Sequence, residues 1–546
     1  MKRFFALLLT LALLAGLAAC GGQTDAQDGV DQENTGESAA QTQDQAQETS
    51  VVNIGCTSRL GTLNPLLMDG TWVNVYAMSL EFLPLVSLND EMEFEFMLAD
   101  AITTEDNLTY TVHIDEAATW SDGEPVTAED LAYTMTRIAS PLVMNYSMQF
   151  SAIVGTDDET GWVEEGAETI EGLTVVDEKT LEITFKYEMN MVSFLNGYAQ
   201  YILTLPKHVL ETIPEAELAA SDWFDAPTVV SGPYVVTDYD ADHYISYTAN
   251  ENYWRGVPQI SYCNIRIVEG SGLLAALQSG EIDIVPPLLG SIPEEDQAAV
   301  QALEGVRSAY GSAIATESIF LNAESVPDER VRQAMLYALD RETIVEGLLS
   351  GGAEIMDGFC VPDGPYASGL EPVSYDPERA RELLDEAGWD GSESYTLYIN
   401  SGDQTLVNAC TLCQAYWAAV GIDVELRTVD LDTLMAQAGA EETDLLAVQY
   451  TYPVVDPSWD IDYLLSSWCH LYPDEAQQAL ATIWTSNDEA VLRENYAAID
   501  ALAQEQVPVI CLYAYGPLGA VRESLQNAEA TMYGSINNIQ EWSFAA

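Results

Sequence analysis

Cysteine and histidine, two side chains that commonly ligate metals or take part in nucleophilic catalysis, are few and scattered in this sequence. One Cys-x-x-Cys pair, Cys410 and Cys413, falls in a helical apolar pattern with no second pair and no neighbouring histidine. This context favours two buried thiols on one helix face over a zinc or redox site. The histidines are not clustered either, so each is predicted to be structural: His113, His208, His243 and His470. The sequence therefore predicts neither a metal nor a cofactor.

Motifs for common catalytic chemistry do not occur in the chain. The sequence contains no Gly-x-Ser-x-Gly elbow, no His-Glu-x-x-His pair and no phosphate-binding loop that ends in Gly-Lys. Because 88 acidic residues make paired carboxylates common, a secreted glycan hydrolase with a carboxylate pair stays open as an alternative. The main prediction is that the protein is not an enzyme.

The charge balance excludes several classes of partner. Eighty-eight acidic residues face 18 basic ones, which gives a formal net charge of −70. Proteins bind nucleic-acid phosphates and anionic lipid headgroups through clustered Lys or Arg. Nucleic acids and anionic lipid headgroups are therefore excluded as direct partners. Attraction of a cationic ligand stays possible. The hydrophobic fraction of 48% predicts a packed globular protein that is large enough for two or three cores.

The first twenty residues carry an export signal. Lys2 and Arg3 precede an apolar run over residues 4–17, and Leu17, Ala18 and Ala19 lead directly to Cys20. This stretch resembles the lipobox of bacterial lipoproteins, in which cleavage before the cysteine leaves it as a lipidated N-terminus. The resemblance implies a signal peptide over 1–19 and lipidation of Cys20. Residues 21–50 contain no Lys, Arg or aromatic residue, so the stretch over 20–50 is predicted to be a disordered tether that starts at the lipidated cysteine. The resemblance also implies a lipid anchor on the outer face of the cytoplasmic membrane, at the cell surface or in the periplasm; a plain secretory signal with an incidental cysteine is the alternative.

Local signals place several elements of the folded part. Thr127 and Asp130 form a capping box for a helix that runs to about Ile138. Asp328 can cap a further helix, and Asp376 precedes another that Gly388 should end. Residues 72–88 are predicted as a helix that is broken near Pro84. These signals describe a scaffold and do not by themselves indicate a function.

An ordered set of sequence blocks points to a family. The blocks are Leu63-Asn64-Pro65, Trp120-Ser121-Asp122-Gly123, Ser231-Gly232-Pro233-Tyr234, Asn252-Tyr253-Trp254, Leu277-Gln278-Ser279-Gly280, Val331-Arg332-Gln333-Ala334 and Tyr375-Asp376-Pro377. In this order they resemble bacterial extracellular solute-binding proteins of family 5, the dipeptide, oligopeptide and nickel class, which deliver ligands to ABC importers. The set extends over nearly all of residues 51–515.

The resemblance implies an α/β protein with the two-lobed, class II periplasmic-binding-protein-like fold and an extra subdomain on lobe I. Carried over to this chain, lobe I spans 51–75, 222–310 and 515–546, the inserted subdomain spans 76–221, and lobe II spans 311–514. The implied function is capture of a solute, expected to be a peptide, between the lobes of a monomer. The implied partners are that solute and the permease subunits of an ABC transporter.

The resemblance also locates ligand residues. The family's first pocket loop follows Leu-x-Pro, which points to Asp69, Gly70, Thr71 and Trp72. Its second element is a strand end that here covers residues 450–459, from which Tyr450, Tyr452, Asp456 and Trp459 are candidates, with Tyr146 as a further aromatic from the insertion. Aromatic walls suit side chains, sugars or cationic groups.

Two departures from the family pattern leave the ligand open. Peptide-binding members carry an aspartate in the second strand end for the ligand's α-amino group, and that position is Pro453 here. No Lys or Arg occurs from Thr428 to Leu492 for a carboxylate. Asp456 or Asp460 could take the amine in a shifted register. The alternative ligands are therefore an oligosaccharide, a polyamine or a metal chelate. Presentation of the ligand to a membrane sensor stays open as an alternative role.

Overall fold

A computed structural model describes residues 50–148, 150–290, 292–349, 352–438 and 443–545. The predicted signal peptide, Cys20 and nearly all of the tether lie outside the described residues. The strands in chain order are β1 (Val51–Cys56), β2 (Val86–Leu88), β3 (Phe94–Phe96), β4 (Ala99–Thr104), β5 (Thr109–Ile114), β6 (Leu173–Val175), β7 (Thr180–Thr184), β8 (Tyr234–Asp240), β9 (Tyr244–Ala249), β10 (Tyr262–Ile267), β11 (Ile284–Val285), β12 (Val306–Tyr310), β13 (Ala315–Leu321), β14 (Ser394–Asn400), β15 (Asp423–Val429), β16 (Leu445–Thr451), β17 (Val509–Tyr515), β18 (Leu518–Arg522), β19 (Leu525–Gln526) and β20 (Ser543–Phe544).

The helices are distributed between these strands. In chain order they are α1 (Trp72–Ser79), α2 (Ala128–Ile138), α3 (Met191–Phe194), α4 (Lys207–Leu210), α5 (Glu215–Leu218), α6 (Leu273–Ser279), α7 (Glu294–Gln301), α8 (Glu329–Tyr337), α9 (Arg341–Leu349), α10 (Pro377–Ala387), α11 (Gln404–Val420), α12 (Leu431–Ala438), α13 (Ser458–Tyr463), α14 (Asp474–Thr485) and α15 (Glu489–Gln506). Single π-helical turns, Leu195–Ala199 and Leu464–Trp468, continue α3 and α13. Short 3-10 turns lie at Pro65–Leu67, Asp222–Asp225, Gly270–Gly272 and Ile539–Glu541.

Lobe I is built on a seven-stranded sheet with the order β12-β18-β11-β1-β10-β9-β8. Strand β1 pairs in parallel with both β10 and β11, which places the loops after these three strands at one edge of the sheet. One face packs on α1 and the C-terminal segment, and the other packs on α6 and on Val300 of α7. The loop after β11, which leads into α7, therefore points out of the same edge as the loop after β1.

Lobe II is built on a five-stranded sheet with the order β15-β14-β16-β13-β17. The side chains of β13 and β16 alternate between two cores. One core holds residues of helices α8 to α11, and the other holds residues of α12 to α15. Both faces of the sheet are thus covered, as is usual for parallel or mixed sheets in α/β proteins.

The subdomain is built on a four-stranded antiparallel sheet, β4-β5-β7-β6, with α2 packed against it. Helix α2 begins at the predicted capping box, in which the side chain of Thr127 accepts from the N–H of Asp130 and the carboxylate of Asp130 accepts from the N–H of Thr127. The caps predicted at Asp328 and Asp376, and the helix end at Gly388, are likewise confirmed.

The predicted helix over residues 72–88 is wrong in its second half. Helix α1 ends at Ser79, and Val86 already starts a strand. The carbonyls of Leu80 and Glu81 accept hydrogen bonds from the N–H groups of Tyr234 and Gly232. A continuing helix would need those carbonyls, so contacts with a segment distant in sequence end it.

Two crossing segments join the lobes, residues 311–314 between β12 and β13 and residues 516–517 between β17 and β18. They are in direct contact, because the N–H of Gly311 donates to the carbonyl of Pro517 at 2.9 Å. Two sheets connected by a double crossing give the two-lobed α/β architecture that the sequence predicted. The exact domain boundaries stay a prediction.

Candidate functional site

An open cleft with a volume of about 520 Å³ lies between the lobes beside the crossing segments, and we call it the interlobe cleft. Its lobe I wall is the start of α7 with Tyr310, and its lobe II wall is formed by β13, β17 and the start of α11. The residues that line it are Ile292, Pro293, Glu294, Gln297, Ala298, Gln301, Tyr310, Glu317, Leu349, Gly352, Asp403, Thr405, Tyr513, Tyr515, Gly516 and Pro517. A solute in this cleft would contact both lobes and the crossing segments.

Glu317 is the polar side chain buried deepest in the lobe II wall. It is 2% exposed and lies on β13 between Gln449 of β16 and Tyr513 of β17. Its Oε1 accepts from Gln449 Nε2 at 3.3 Å and from the hydroxyl of Tyr515 at 3.4 Å. Among the described residues no N–H or O–H donor reaches its Oε2, which is also buried, and the carboxyl of Asp403 lies beside the Glu317 carboxyl. Since an unpaired buried carboxylate oxygen is costly, the group needs either a proton or a cationic partner.

The electrostatics of this wall keep Glu317 protonated near neutral pH. Burial, and after it the negative charge of Asp403, raise the pKa of Glu317 to about 8. Asp403 caps α11, with its carboxylate accepting from the N–H of Leu406 at 2.8 Å. The cap fixes the second carboxyl next to the first. The two carboxyls therefore form one negatively charged or proton-sharing patch on the cleft wall.

A β-bulge lies beside Glu317, with Leu512 as the extra residue of β17. The register between β13 and β17 shifts between Glu317 and Ser318. Such a bulge re-aims side chains next to functional sites. Tyr513, which opposes Glu317 in the register, and Tyr515 both contribute to the cleft wall. The bulge thus lies next to a cluster of one acid, one amide and two phenols at the edge of an apolar core. These side chains are Glu317, Gln449, Tyr513 and Tyr515.

The interlobe cleft is acidic. Its ionisable side chains other than tyrosine are Glu294, Glu317 and Asp403, and none of the described lining residues is Lys, Arg or His. A ligand carboxylate would find no charged partner here, whereas a ligand cation would find three carboxyls. The site is therefore complementary to a positively charged group.

A second, uncharged pocket lies between lobe I and the subdomain, and we call it the neutral pocket. Its cavity volume is about 60 Å³, and none of its lining residues in the described chain is ionisable apart from tyrosine. Trp72 meets Tyr76 and Tyr533 edge to face, with ring centroids 6.4 Å and 6.1 Å apart. Gln200 and Asn537 add amides to the wall. Such a wall suits an apolar or aromatic group.

The loop predicted from Leu-x-Pro leads into the neutral pocket. Asp69 accepts from the N–H of Thr71 at 2.9 Å and from Asn74 Nδ2 at 3.0 Å, so its carboxylate stabilises the start of α1. Gly70 has a φ of +76°, the left-handed region that favours glycine. Trp72 lines the neutral pocket. Of these four residues, Trp72 is the one with a place on a pocket wall.

Tyr450 and Tyr452 lie on the opposite face of the lobe II sheet from Gln449 and Glu317. Tyr450 packs edge to face on Phe320, and its hydroxyl donates to Asp460 Oδ1 at 2.5 Å. Tyr452 is 1% exposed, and its hydroxyl has no hydrogen-bond partner among the residues that the structure describes. The predicted aromatic wall is therefore part of the lobe II core in this structure.

Asp456 is fully engaged within the protein. Its Oδ1 accepts from Ser458 Oγ at 2.6 Å and from the hydroxyl of Tyr496 at 2.9 Å, and its Oδ2 accepts from Ser193 Oγ of the subdomain at 2.5 Å. It thus links lobe II to the subdomain. The residue is 4% exposed, and both of its carboxylate oxygens already accept from protein hydroxyls.

The remaining two predicted residues are exposed aromatics outside both pockets. Trp459, half exposed, stacks on Trp484 at 4.9 Å. Tyr146 meets Trp162 edge to face at 5.3 Å. The structure does not bring the predicted lobe II and subdomain residues together in one site, so their role as ligand contacts stays a prediction.

The residues that sequence reasoning missed are Glu317, Asp403, Gln449 and Tyr515. The available signal was a single acid, Glu317, inside an otherwise uncharged strand, Ala315–Leu321. An acid at such a position is rare unless it has a partner or a function. The positions of its neighbours could not be read from the chain, because they come from three other elements.

Cysteines and histidines have structural surroundings. The cysteines from Cys56 onward, including Cys410 and Cys413, are free and buried. Three histidines pair with aspartates: His113 with Asp100, His208 with Asp122 and His243 with Asp240. In the described ranges no group of three or more His, Cys, Asp or Glu side chains could hold a metal ion. No helix among the described residues has the length and apolar character to cross a bilayer.

Two lobes on a double crossing, with a cleft between them, define a binding protein of the periplasmic class II type. The family model for bacterial extracellular solute-binding proteins, family 5 Middle, matches residues 93–470. The chain belongs to this family. It is a family of binding proteins that act outside the cytoplasm and not a family of enzymes.

Individual relatives agree with this assignment. A Brucella ovis protein named as an ABC transporter peptide-binding protein is 31% identical over 385 residues, which are 68% of this chain and 67% of the relative. The oligopeptide-binding protein AppA of Bacillus subtilis is 24% identical over 504 residues, 84% of this chain and 85% of AppA.

Solved structures confirm the predicted fold class. The murein tripeptide-binding protein MppA of Escherichia coli, in its unliganded open form, has a TM-score of 0.77 at 20% identity, covering 91% of this chain and 98% of MppA. AppA in complex with a nonapeptide has a TM-score of 0.65 at 20% identity, covering 91% and 99%. At these identities the likeness shows the fold alone.

Proposed function

We propose that this protein captures a peptide in the interlobe cleft and delivers it to the permease of an ABC transporter. The relatives named as peptide-binding proteins of ABC transporters support this function. The observation that carries the proposal is the cleft itself, which has walls from both lobes and a floor at the crossing segments. A ligand that bridges both walls favours the closed arrangement of the lobes, and a permease can recognise that arrangement.

The edge of β16 is suited to a peptide main chain. Strand β16 pairs with β14 only from Leu445 to Ala447, whereas it pairs with β13 as far as Thr451. From Val448 to Thr451 the strand therefore has one edge that no strand of the sheet covers. An extended peptide can add to such an edge through main-chain hydrogen bonds that do not depend on its sequence. Gln449, the neighbour of Glu317, lies in this stretch.

Among the residues predicted from sequence, we keep Trp72 as a proposed contact for an apolar ligand side chain, because it lines the neutral pocket. Asp69, Gly70 and Thr71 hold Trp72 in place at the start of α1. We do not assign the ligand amine to Asp456, since three side-chain hydroxyls already occupy its oxygens.

The remaining parts of the proposal rest on the sequence. Removal of residues 1–19 leaves Cys20 as a lipid anchor on the outer face of the cytoplasmic membrane, and the chain acts as a monomer that binds without catalysis. A polyamine or other cationic solute is the second candidate ligand, because the interlobe cleft offers carboxyls and no described base.

Thermal unfolding in the presence of ligand pools tests the function. The mature chain with Cys20→Ser would be screened against di- to pentapeptides, oligosaccharides, spermidine and nickel–histidine. A ligand at a hundred times its dissociation constant stabilises the protein by about 2.7 kcal/mol, so we expect a clear rise in melting temperature with peptides. A response to spermidine or an oligosaccharide without any response to peptides would overturn the peptide assignment. An unchanged melting temperature with every ligand pool would contradict the proposal as a whole.

A further inference from the structure

We infer that the carboxyl of Glu317, with Asp403 beside it, binds the ammonium group of the ligand. This inference rests on the proposed function, because it assigns a part of the same cleft. Glu317 lines the interlobe cleft, and its Oε2 is a buried acceptor that has no donor within the described part of the chain. An ammonium group supplies up to three donors and a positive charge, which are what such an oxygen lacks.

The surroundings of Glu317 hold the acceptor in place before a ligand arrives. Gln449 and Tyr515 donate to Oε1, and Gln449 Nε2 also donates to the hydroxyl of Tyr515. These contacts occupy one carboxyl oxygen and leave the other toward Asp403. The carboxyl therefore loses little conformational freedom on binding, which favours affinity.

The sequence departures described above agree with this location. By the family resemblance, Pro453 stands where peptide-binding members carry an aspartate for the ligand amine. Glu317 supplies a carboxyl from β13, a strand directly paired with β16, the strand that ends just before Pro453. The amine site would thus have moved to the neighbouring strand. A ligand carboxylate would find no cationic side chain to pair with, since no described residue that lines the cleft is basic.

A structural role for the carboxyl pair is the competing explanation. A protonated Glu317 can share its proton with Asp403, as two nearby carboxyls often do. Such a pair would stabilise lobe II without contacting a ligand. The two explanations differ in what a ligand amine does to affinity and to bound protons, and these are the quantities to measure.

Proton release follows from the inference. Burial and Asp403 raise the pKa of Glu317 to about 8, so at pH 7 the carboxyl is mostly protonated in the free protein. An ammonium group favours the ionised form, so binding must expel the proton.

The titratable groups that face Glu317 are Asp403 and Cys410 from α11, Tyr513 and Tyr515 from β17, and, across the cleft, Glu294 and Tyr310. The α-amino group of a peptide stays protonated up to about pH 7. Affinity should therefore rise about tenfold per pH unit between pH 5.5 and pH 7.

Calorimetric titration of matched peptides tests the site. The probe is the tightest-binding peptide of the screen, used as such, with an acetylated N-terminus, and with an amidated C-terminus. Against the wild type we expect acetylation to weaken binding by about tenfold to a hundredfold, as for loss of a charged hydrogen bond, and amidation to have little effect. Buffers of different ionisation enthalpy report the released proton.

The variants make the test specific. Glu317→Gln should weaken the free-amine peptide by a similar factor, abolish proton release, and bind the acetylated peptide as the wild type does. Asp403→Asn, which keeps the cap of α11, is the second variant and should weaken the free-amine peptide less. Glu425→Gln, on the exposed edge strand β15 of the same sheet, is the matched control and should change nothing.

Failure of the inference and failure of the proposed function give different binding results. Equal binding of free and acetylated peptides, or proton release that persists in Glu317→Gln, would overturn the inference and leave the proposed function standing. If no peptide binds, the proposed function fails and spermidine replaces the peptide as probe. Spermidine binding that Glu317→Gln removes would then support the inference, and its absence or persistence in the variant would overturn it.

Discussion

Replacement of Gly516 by alanine is expected to destabilise the protein strongly, because the added methyl group has no space. A Cβ on Gly516 would lie 1.9 Å from the carbonyl oxygen of Gly311 and 2.6 Å from that of Ser312. These atoms are backbone, so they cannot rotate away as a side chain could. The two crossing segments would have to separate, which breaks the hydrogen bond from Gly311 to Pro517. We expect a loss of at least the roughly 1–3 kcal/mol that overpacking costs.

The measurement is thermal unfolding of Gly516→Ala beside Gly347→Ala. Gly347 lies inside α9, and a Cβ there would meet nothing within 4 Å. Because alanine is the better helix former, the control should be unchanged or more stable by about 0.5–1 kcal/mol. Equal melting temperatures for wild type and Gly516→Ala would show that the crossing segments are not packed as described.

Removal of Arg341 is expected to have the second large effect, because it leaves a buried charge behind. Arg341 and Asp357 form an ion pair at 2.7 Å with 2% and 4% of their side chains exposed. The guanidinium also donates to the carbonyls of Met356, Cys511 and Val373. It thereby joins the start of α9 to β17 and to the loop before α10. Loss of one partner of such a pair costs about 3–5 kcal/mol.

Urea unfolding of three variants checks this account of lobe II. Arg341→Leu should lose stability by that amount, whereas Arg341→Leu combined with Asp357→Asn should recover part of it, since the unpaired charge is gone. Arg379→Leu removes a half-exposed arginine that pairs with Glu382 and Glu386 on α10, and it should cost at most about 1 kcal/mol. A loss in Arg341→Leu no larger than in Arg379→Leu would contradict the buried pair.

The parts of the fold that could be predicted are those with local causes. The capping box of Thr127 and Asp130 and the left-handed Gly388 depend on residues a few positions apart, so the chain itself contains the information. The helix predicted over 72–88 failed where the distant residues Gly232 and Tyr234 bind the carbonyls after α1. The overall architecture came from a family resemblance and could not have come from periodicity.

The candidate site was harder to predict, because side-chain direction in a strand depends on register. Tyr450 looked like a pocket residue, but the pairing of β16 with β13 turns its side chain into the lobe II core and places Gln449 on the same sheet face as Glu317. A shift of one residue would exchange these two directions. Glu317 is 86 residues from Asp403 and 132 residues from Gln449 in the sequence. Their meeting is a property of the sheet and of the start of α11, which no local pattern encodes.

A structure of the protein with its tightest-binding peptide would show directly where the ligand binds. We expect the peptide to lie in the interlobe cleft, with its main chain along the free edge of β16 and its amine at Glu317. Contact with Tyr310 or the start of α7 from the other lobe should complete the site. A peptide bound outside this cleft, or in the neutral pocket without any contact to lobe II, would contradict the account.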